Sequence, residues 1–418
     1  METKAVRIYG KKDLRLETFD LPRMKEDEIL ARVVSDSICM SSYKAAHLGT
    51  EHKRIPDDVA TNPTILGHEF SGEILEVGDR WKHQFKPGQK FSIQPALNYR
   101  GSLDAPGYSF RWIGGNATYI IIPSEVMEMQ CLLPYDGPGY YPASLAEPLS
   151  CVVGAFHANY HMHPGSYEHH MDIRPGGRMA ILAGVGPMGL AAINYTLHRE
   201  RKPGLLVVTD IDEDRLARAQ SLYSVRDAEA CGIRLIYQNT RQLKNPADTL
   251  LEMTGGEGYD DVFVFAPLPQ VIEQGDRILA RDGCLNFFAG PTDPEFSASF
   301  NFYNVHYNNT HLVGTSGGNN HDMIEALERM SAGLDPSGLV THIGGLDAVI
   351  DTTLRLPEIP GGKKLIYTHI NMPLTAITDF ERLGSTDPIF KKLHEITSRH
   401  NGLWSVEAED YLLSNPSV

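Results

Sequence analysis

Residues 178–189 read RMAILAGVGPMG, an apolar run followed by three glycines in a G-x-G-x-x-G pattern. The apolar run is suited to a buried strand, and the pattern predicts a helix over 190–197. Such a pattern becomes specific when a strand precedes it, a helix follows it and the next strand ends in an acid. The last condition is also met, because the apolar run 205–209 ends at Asp210. The sequence therefore indicates a βαβ unit that binds a dinucleotide.

The glycine-rich turn supplies the expected contacts to the dinucleotide. A pyrophosphate is held where glycines let the backbone approach and where a helix N-terminus presents free N–H groups. The residues expected there are Gly184, Gly186, Pro187, Met188 and Gly189. Asp210 is placed to accept hydrogen bonds from the adenosine ribose, which favours NAD. The acids at 212–214 would repel a 2′-phosphate, whereas Arg215 keeps NADP possible.

Six strand-like runs occur between 178 and 315. The four that follow the first two are 233–237, 261–265, 284–289 and 311–315. Intervening helices would place these strands in one parallel sheet with helices on both faces. This part of the chain is therefore predicted to be a doubly wound α/β domain.

The part before residue 137 has a different texture, in which short apolar runs alternate with Gly, Pro and Asp turns. These runs are 5–9, 29–34, 73–77, 90–93 and 117–122. The pattern predicts a compact, mainly β domain. A polar stretch, 51–62, is expected either to wall a pocket or to form a disordered surface insertion, and both alternatives stay open.

Potential metal ligands accompany this β domain. Cys39 follows the run 29–34, His68 and Glu69 lie between two glycines, and Glu147 stands in a small, apolar setting. A thiolate, an imidazole and a carboxylate suit Zn²⁺, and three protein ligands leave a position open for water or substrate. Cys39 as a small core residue and Glu147 as an acid at a helix start are the ordinary structural alternatives.

Composition excludes several classes of function. The 418 residues carry a net charge of -15, which argues against nucleic acid or an anionic membrane as a partner. No stretch resembles a signal peptide or a membrane span. The five cysteines are scattered and odd in number, so a reduced, cytoplasmic protein without disulfides is expected.

Together these motifs resemble the zinc-dependent medium-chain dehydrogenase/reductase family, and within it the sorbitol and polyol-phosphate dehydrogenase branch. The motifs that carry the resemblance are Cys39, Gly67-His68-Glu69-x-x-Gly72, Glu147-Pro148-Leu149, Gly184-x-Gly186-x-x-Gly189 and Asp210. The resemblance implies a GroES-like catalytic domain over 1–152, a Rossmann domain over 153–315, and a return segment, 316–418, that completes the first domain. It also implies an active site in the cleft between the domains and a homodimer or homotetramer.

The resemblance further implies roles for individual residues. Cys39, His68 and Glu147 would be zinc ligands, and Glu69 would be a carboxylate that reaches the metal directly or through water. Ser41 matches the hydroxyl that passes the substrate proton onward. Zinc would act as a Lewis acid on the substrate oxygen while the dinucleotide transfers hydride.

Departures from the family pattern lead to further expectations. The region 94–111 has no cysteine where many members carry a structural zinc, so one catalytic zinc and no structural zinc are predicted. Ser42 stands where the family often has Asp, and Lys44 where it often has a relay His.

His157 and His161 are spaced like a two-His metal site on a helix, although a solvated loop is the preferred interpretation. The run 380–399 predicts an amphipathic helix that packs on the catalytic domain, with a subunit contact as the alternative.

Segments 33–44 and 340–346 extend the resemblance to reductases of ketose phosphates. They imply hydride transfer from NAD(P)H to L-sorbose 1-phosphate, which gives D-glucitol 6-phosphate. A phosphate needs a basic anchor, for which Lys44 or Arg111 is expected, with His47 and 363–364 as further candidates. A dehydrogenase of an unphosphorylated polyol or other secondary alcohol and a non-catalytic dinucleotide-binding sensor are the alternatives.

Overall fold

A computed structural model describes residues 1–415, which divide into two compact units. The first unit comprises Met1–Glu147 and the segment from Asp335 onward, and the second is Pro148–Leu334. The sequence-based boundaries, after 152 and after 315, differ from these. Helix Asn320–Ser331 belongs to the second unit because His157 contacts Asp322 at 2.8 Å and the Tyr195 hydroxyl donates to Glu325.

The strands in chain order are β1 (Glu2–Gly10), β2 (Asp13–Asp20), β3 (Ile29–Ile38), β4 (Thr64–Ile65), β5 (Phe70–Val77), β6 (Lys90–Ile93), β7 (Tyr119–Ile122), β8 (Leu132–Pro134), β9 (Tyr160–Met162), β10 (His169–Met171), β11 (Arg178–Leu182), β12 (Leu205–Asp210), β13 (Arg234–Asn239), β14 (Tyr259–Val264), β15 (Leu279–Phe287), β16 (His311–Gly314), β17 (Val340–Gly345), β18 (Lys363–Tyr367) and β19 (Thr375–Ala376).

The α-helices are α1 (Met40–Leu48), α2 (Ser124–Glu128), α3 (Tyr141–Ser144), α4 (Ala146–Ala158), α5 (Pro187–His198), α6 (Glu213–Leu222), α7 (Val225–Ala230), α8 (Pro246–Met253), α9 (Pro269–Arg277), α10 (Phe302–Tyr307), α11 (Asn320–Ser331), α12 (Val349–Leu354), α13 (Phe380–Leu383), α14 (Pro388–Arg399) and α15 (Val406–Ser414). Short 3-10 turns occur at Gly49–Glu51, Asp79–Trp81, Tyr99–Gly101, Pro336–Leu339, Leu346–Ala348, Leu356–Glu358 and Ile377–Asp379. No helix within residues 1–415 is long and apolar enough to cross a membrane.

The first unit is built on a sheet that mixes strands from both ends of the chain. Its order is β19-β17-β18-β3-β5-β6-β8, with β7 also paired to β3. Strand β18 runs antiparallel to β3, with Lys364 opposite Ile38. The return segment therefore completes the sheet that carries Cys39 at its end.

The second unit contains a parallel sheet in the order β13-β12-β11-β14-β15-β16. Each neighbouring pair is parallel, which confirms the six predicted strands and the doubly wound arrangement. The strand order reverses between β11 and β14. Ligands bind such sheets outside the carboxyl ends of the strands at this switch point.

The segment after β19 folds as three helices on the first unit. The helix predicted over 380–399 is interrupted, because α13 ends at Leu383 and α14 begins at Pro388 with Asp387 as its N-cap. Phe380 and Trp404 pack in one core cluster with Tyr367 of β18. These helices therefore help to fix β18 against β3.

Candidate metal and dinucleotide sites

Strand register brings three distant polar residues to one end of the first sheet. Cys39 follows β3 directly and is the N-cap of α1. The Ser37 amide of β3 donates to the Glu69 carbonyl at 3.0 Å, and β5 begins at the next residue, Phe70. Lys363 opens β18, whose Lys364 pairs with Ile38. Three segments of sequence therefore converge beside Cys39.

Cys39, His68 and Glu69 form what is called here the metal-site cluster. One ligand atom from each residue lies within 4.8 Å of the other two. His68 Nδ1 lies 3.3 Å from the Ser42 hydroxyl. The Cys39 thiol donates to the Ser41 hydroxyl at 3.7 Å. Sulfur, imidazole nitrogen and carboxylate oxygen suit zinc in kind, and their separation fits a single ion.

Glu69 is held by a buried ion pair. Lys363 Nζ donates to both Glu69 carboxylate oxygens, at 2.5 and 2.6 Å, and both side chains are almost fully buried. Burial opposes ionisation of the carboxyl, but the Lys363 ammonium holds the pKa of Glu69 below its ordinary value. Glu69 is therefore the anionic member of the cluster, and Lys363 balances its charge.

The pKa values of the other two members of the cluster, Cys39 and His68, are shifted in opposite directions. Burial, followed by the negative charge of Glu69, raises the pKa of the Cys39 thiol to about 12. Burial lowers the pKa of His68 to about 4, so its imidazole is neutral at physiological pH. A neutral imidazole is the form that binds a metal, whereas the thiol must lose its proton on binding.

Tyr108 is a buried member of the site that the sequence analysis did not identify. Its hydroxyl lies 3.2 Å from His68 Nε2, and its ring is 1% exposed. Gly107 permits this contact, because a Cβ there would lie 2.0 Å from the Gly67 carbonyl oxygen. Both glycines have positive φ, +80° and +92°. Only glycine adopts such turns at no steric cost, so this pair places Tyr108 against His68.

Glu147 and Ser41 lie near the cluster. Glu147 is buried near the start of α4, and its negative charge contributes to the raised pKa of Cys39 and of Tyr108. It lies outside the group of ligand atoms that approach within 4.8 Å. The Ser41 hydroxyl contacts the Cys39 thiol and hydrogen-bonds to Tyr108.

The dinucleotide turn lies in the second unit, between β11 and α5. A Cβ on Gly189 would lie 2.2 Å from the Gly184 carbonyl oxygen, so helix and turn pack more closely than any side chain allows. A Cβ on Gly186, the N-cap of α5, would meet nothing within 4 Å. This open backbone at a helix N-terminus fits a pyrophosphate. Pro187 and Met188 form the first turn of α5.

Asp210 ends β12 as predicted. Its Oδ1 accepts from the amides of Ile211 and Asp212, at 2.8 and 3.1 Å, which fixes the carboxylate at the strand end. A cavity of about 390 Å³ follows, lined by Ile211, Asp212, Glu213, Asp214, Asn239, Arg241 and Gln242. The Arg215 guanidinium lies 3.8 Å from Asp212. Three of the seven residues that line this cavity are therefore acids, Asp212, Glu213 and Asp214.

Comparison with known proteins agrees with this geometry. An alcohol dehydrogenase GroES-like domain matches residues 25–130, and a zinc-binding dehydrogenase domain matches residues 187–332. The chain is 53% identical over 414 residues to L-sorbose 1-phosphate reductase from Klebsiella pneumoniae, covering 99% of this chain and 98% of the relative. It is 52% identical over 413 residues to mannitol-1-phosphate 5-dehydrogenase from Aliivibrio fischeri, covering 99% and 97%.

The chain belongs to the zinc-dependent medium-chain dehydrogenase/reductase family. The predicted fold class, the oxidoreductase activity and the zinc and nicotinamide cofactors are thereby confirmed, and the dehydrogenase lies among polyol and polyol-phosphate enzymes. A solved 2R,3R-butanediol dehydrogenase from Bacillus subtilis shares the fold, with a TM-score of 0.69 at 21% identity, covering 87% of this chain and 99% of the other. The absence of a structural zinc stays a prediction.

The basic candidates of the dehydrogenase occupy different places. The Lys44 ammonium, half-buried on α1, lies within electrostatic range of Cys39. Arg111 is exposed, and its guanidinium lies 5.1 Å from the Trp112 ring centre. Lys363 binds Glu69, and Lys364 Nζ donates to three backbone carbonyls, of Ile359, Pro360 and Gly362. Residues 363–364 are therefore structural, which corrects their candidacy as a phosphate anchor.

The histidine-rich segment of the dehydrogenase is a hairpin rather than a helix. Helix α4 ends at Ala158, so His157 and His161 do not share a helix face. His157 contacts Asp322 and Glu325 of α11, whereas His161 contacts Asp261 at 3.1 Å. The two-His metal site is therefore wrong. The preferred solvated loop describes only the exposed hairpin residues, because His161 is buried.

Proposed function

We propose that this dehydrogenase reduces the ketose phosphate L-sorbose 1-phosphate to D-glucitol 6-phosphate, with NADH as the hydride donor and one catalytic zinc. The observation that carries the proposal is the likeness, over 99% of the chain, to L-sorbose 1-phosphate reductase. The mannitol-1-phosphate 5-dehydrogenase is as similar and also takes, by its name, a phosphorylated polyol. Mannitol 1-phosphate is therefore the second candidate substrate.

In this proposal Cys39, His68 and Glu147 hold the zinc. The bound ion would supply Lewis acidity towards the substrate oxygen. Glu69, the third member of the metal-site cluster, would reach the ion directly or through water, and Lys363 keeps its carboxylate ionised and fixed in position. The Ser41 hydroxyl passes the proton between the substrate hydroxyl and solvent.

The second unit binds the dinucleotide through Gly184, Gly186, Gly189 and Asp210. Asp210 accepts from the ribose hydroxyls, and the acids of the adjoining cavity disfavour a 2′-phosphate. Arg215 lies beside Asp212, which reduces the positive charge it offers to NADP. Preference for NADH over NADPH is therefore expected.

Steady-state kinetics of the metal-replete protein test the proposal. We expect NADH oxidation with L-sorbose 1-phosphate, slower turnover of L-sorbose, and loss of turnover after chelation that added zinc restores. Oxidation of mannitol 1-phosphate above that of D-glucitol 6-phosphate would favour the second candidate. Equal kcat/KM for sorbitol and D-glucitol 6-phosphate would favour an enzyme of unphosphorylated polyols. Tight NADH binding without zinc and without turnover would favour a dinucleotide sensor.

A homo-oligomer and a cytoplasmic location belong to the same proposal. Strand β16 is an edge strand, and Leu312 on it is 55% exposed. Phe302, Tyr303 and Tyr307 of the preceding α10 are 76%, 66% and 60% exposed. Such an apolar patch beside an unpaired edge supports self-association. Light scattering should give a dimer or tetramer mass, and Phe302→Ser with Tyr303→Ser should lower this mass.

The five free thiols support a reducing compartment, as the cytoplasmic location in the proposal requires.

A further inference from the structure

The ring of Tyr108 connects the metal-site cluster to a set of basic side chains. While its hydroxyl contacts His68, its ring stacks on His52, with centroids 5.6 Å apart and planes at 10°. The guanidinium carbon of Arg54 lies 5.4 Å from the centre of the same ring. Arg54 is thus two contacts from a proposed zinc ligand, within the first unit.

Several basic side chains lie close together at this point. His52 lies within electrostatic range of Arg54, Lys53 and Lys44, and burial followed by these three cations lowers its pKa to about 4. Arg54 forms no ion pair with any acid among residues 1–415, and its buried Nε finds no hydrogen-bond partner there. Burying unpaired guanidinium atoms is costly unless an anion arrives.

The loop that carries these residues is fixed to the core. Ile55 and Val59 are 5% and 0% exposed and pack in the same core cluster as Tyr108. The Ser109 hydroxyl donates to the Arg54 carbonyl at 2.7 Å. The stretch 51–62 is therefore ordered, so the disordered insertion is wrong, whereas the pocket wall stays a prediction. These contacts hold the backbone that carries Arg54 in place.

We propose that Arg54, supported by Lys44, His52 and Lys53, binds the phosphate group of the substrate. The inference deepens the proposed function and rests on it. A guanidinium offers two parallel donors to a phosphate, Lys44 and Lys53 add ammonium charge, and neutral His52 adds a ring nitrogen. Lys44 was expected from sequence, but Arg54 and His52 were not. Tyr108 contacts both His68 and Arg54, so in this proposal one ligand reaches from the cluster, with its carbonyl, to Arg54, with its phosphate.

The test compares four full-length, zinc-replete proteins: wild type, Arg54→Gln, Arg54→Lys and the exposed control Arg23→Gln. The measured quantity is the ratio of kcat/KM for L-sorbose 1-phosphate to kcat/KM for L-sorbose. We expect Arg54→Gln to lower this ratio about 10- to 100-fold through KM, as loss of a charge-assisted hydrogen bond does. Arg54→Lys should recover part of the ratio, and Arg23→Gln should keep it.

A binding arm separates this inference from the proposed function. Inorganic phosphate, titrated by calorimetry, should bind wild type and Arg23→Gln but not Arg54→Gln, while zinc content and the thermal midpoint show that the variant is folded. An unchanged kinetic ratio in folded Arg54→Gln overturns the inference and leaves the proposed function intact. Absence of wild-type turnover with any ketose phosphate overturns the proposed function. In that case, phosphate binding that depends on Arg54 still supports an anion site, and its absence overturns the site too.

Discussion

The metal-site cluster and a second cluster of histidine and carboxylate in this dehydrogenase differ in what surrounds them. Within residues 1–415, His68 of the metal-site cluster hydrogen-bonds only to hydroxyls, those of Ser42 and Tyr108, and its ring contacts the Tyr108 ring. The second cluster, called here the hairpin network, consists of His161, Arg174, Asp261, Asp282 and His311.

In the hairpin network each histidine contacts a carboxylate that other donors also contact, whereas His68 contacts hydroxyls. Asp261 accepts from Asn159, His161 and the Arg174 amide, and Asp282 accepts from His311, from the Met162 amide and from the Arg174 guanidinium. Hydroxyls can turn away from an imidazole when a metal arrives, whereas a guanidinium already supplies the positive charge. Residue type alone therefore does not identify a metal site. The partners of each donor atom decide it.

The largest difference is expected when one histidine is removed from each cluster. His68→Ala should reduce bound zinc from about one per chain to a small fraction and lower kcat/KM more than about 100-fold, because several kcal/mol of metal assistance are lost. His161→Ala should keep the zinc and lose stability instead. Elemental analysis with kinetics measures both. Equal zinc loss in the two variants would contradict the distinction.

A smaller effect is expected from the Lys363–Glu69 ion pair of the metal-site cluster. Lys363→Met leaves the Glu69 carboxylate buried and unbalanced, which should lower the free energy of unfolding by about 3–5 kcal/mol. Urea denaturation of metal-stripped protein measures this. The double variant Lys363→Met with Glu69→Gln should recover much of the loss. If the double variant is no more stable than the single one, the destabilisation comes from lost packing rather than from charge.

The smallest effect is an opposite pH dependence of the two clusters. Burial lowers the pKa of His161, but the hydrogen bond to Asp261, the charge of that carboxylate and the hydrogen bond to the Asp282 backbone together outweigh burial, and the net pKa lies above the ordinary 6.5. The contribution of protonated His161 to the stability of the folded protein is therefore present below pH 6.5 and lost as pH rises through the raised pKa. The folded protein favours neutral His68, whose pKa is about 4. Its contribution to the stability of the folded protein is therefore present above pH 6.5 and lost as pH falls.

Urea denaturation of metal-stripped wild type, His161→Gln and His68→Gln at pH 5.5 and 7.5 checks these signs. The stability difference between wild type and His161→Gln should be larger at pH 5.5. The difference between wild type and His68→Gln should be larger at pH 7.5, by about 1 kcal/mol. Two differences that change in the same direction would show that both imidazoles titrate alike.

Sequence predicted best what is local along the chain. The dinucleotide turn occupies 184–189, between one strand and one helix, so a single stretch contains its geometry. Cys39 and His68, which the structure brings together, were chosen as zinc ligands by residue type and family pattern, and that role stays a prediction. Lys363 was considered only as a phosphate anchor, because its partner Glu69 is 294 residues away and meets it through the register of β18 against β3.

Tyr108 and Arg54 were missed for a related reason. The apolar, turn-rich sequence around Tyr108 does not distinguish this residue from a core aromatic. Its contact with His68, 40 residues away, depends on two glycine turns. Arg54 lies in a polar stretch where a charged residue is ordinarily solvated. In both cases tertiary packing, rather than local pattern, creates the chemistry.

The pairing of β18 with β3 also sets an order of events during protein synthesis. The second unit, Pro148–Leu334, is continuous and can fold once it has left the ribosome, at about 5–20 residues per second. The first sheet is complete only once Lys363–Tyr367 is available, so residues 35–38 of β3 lack their β18 partner until then, although residues 29–32 pair with β7. Until Lys363 arrives, Glu69 has no buried counter-charge, and the complete metal site is among the last parts of the molecule to form.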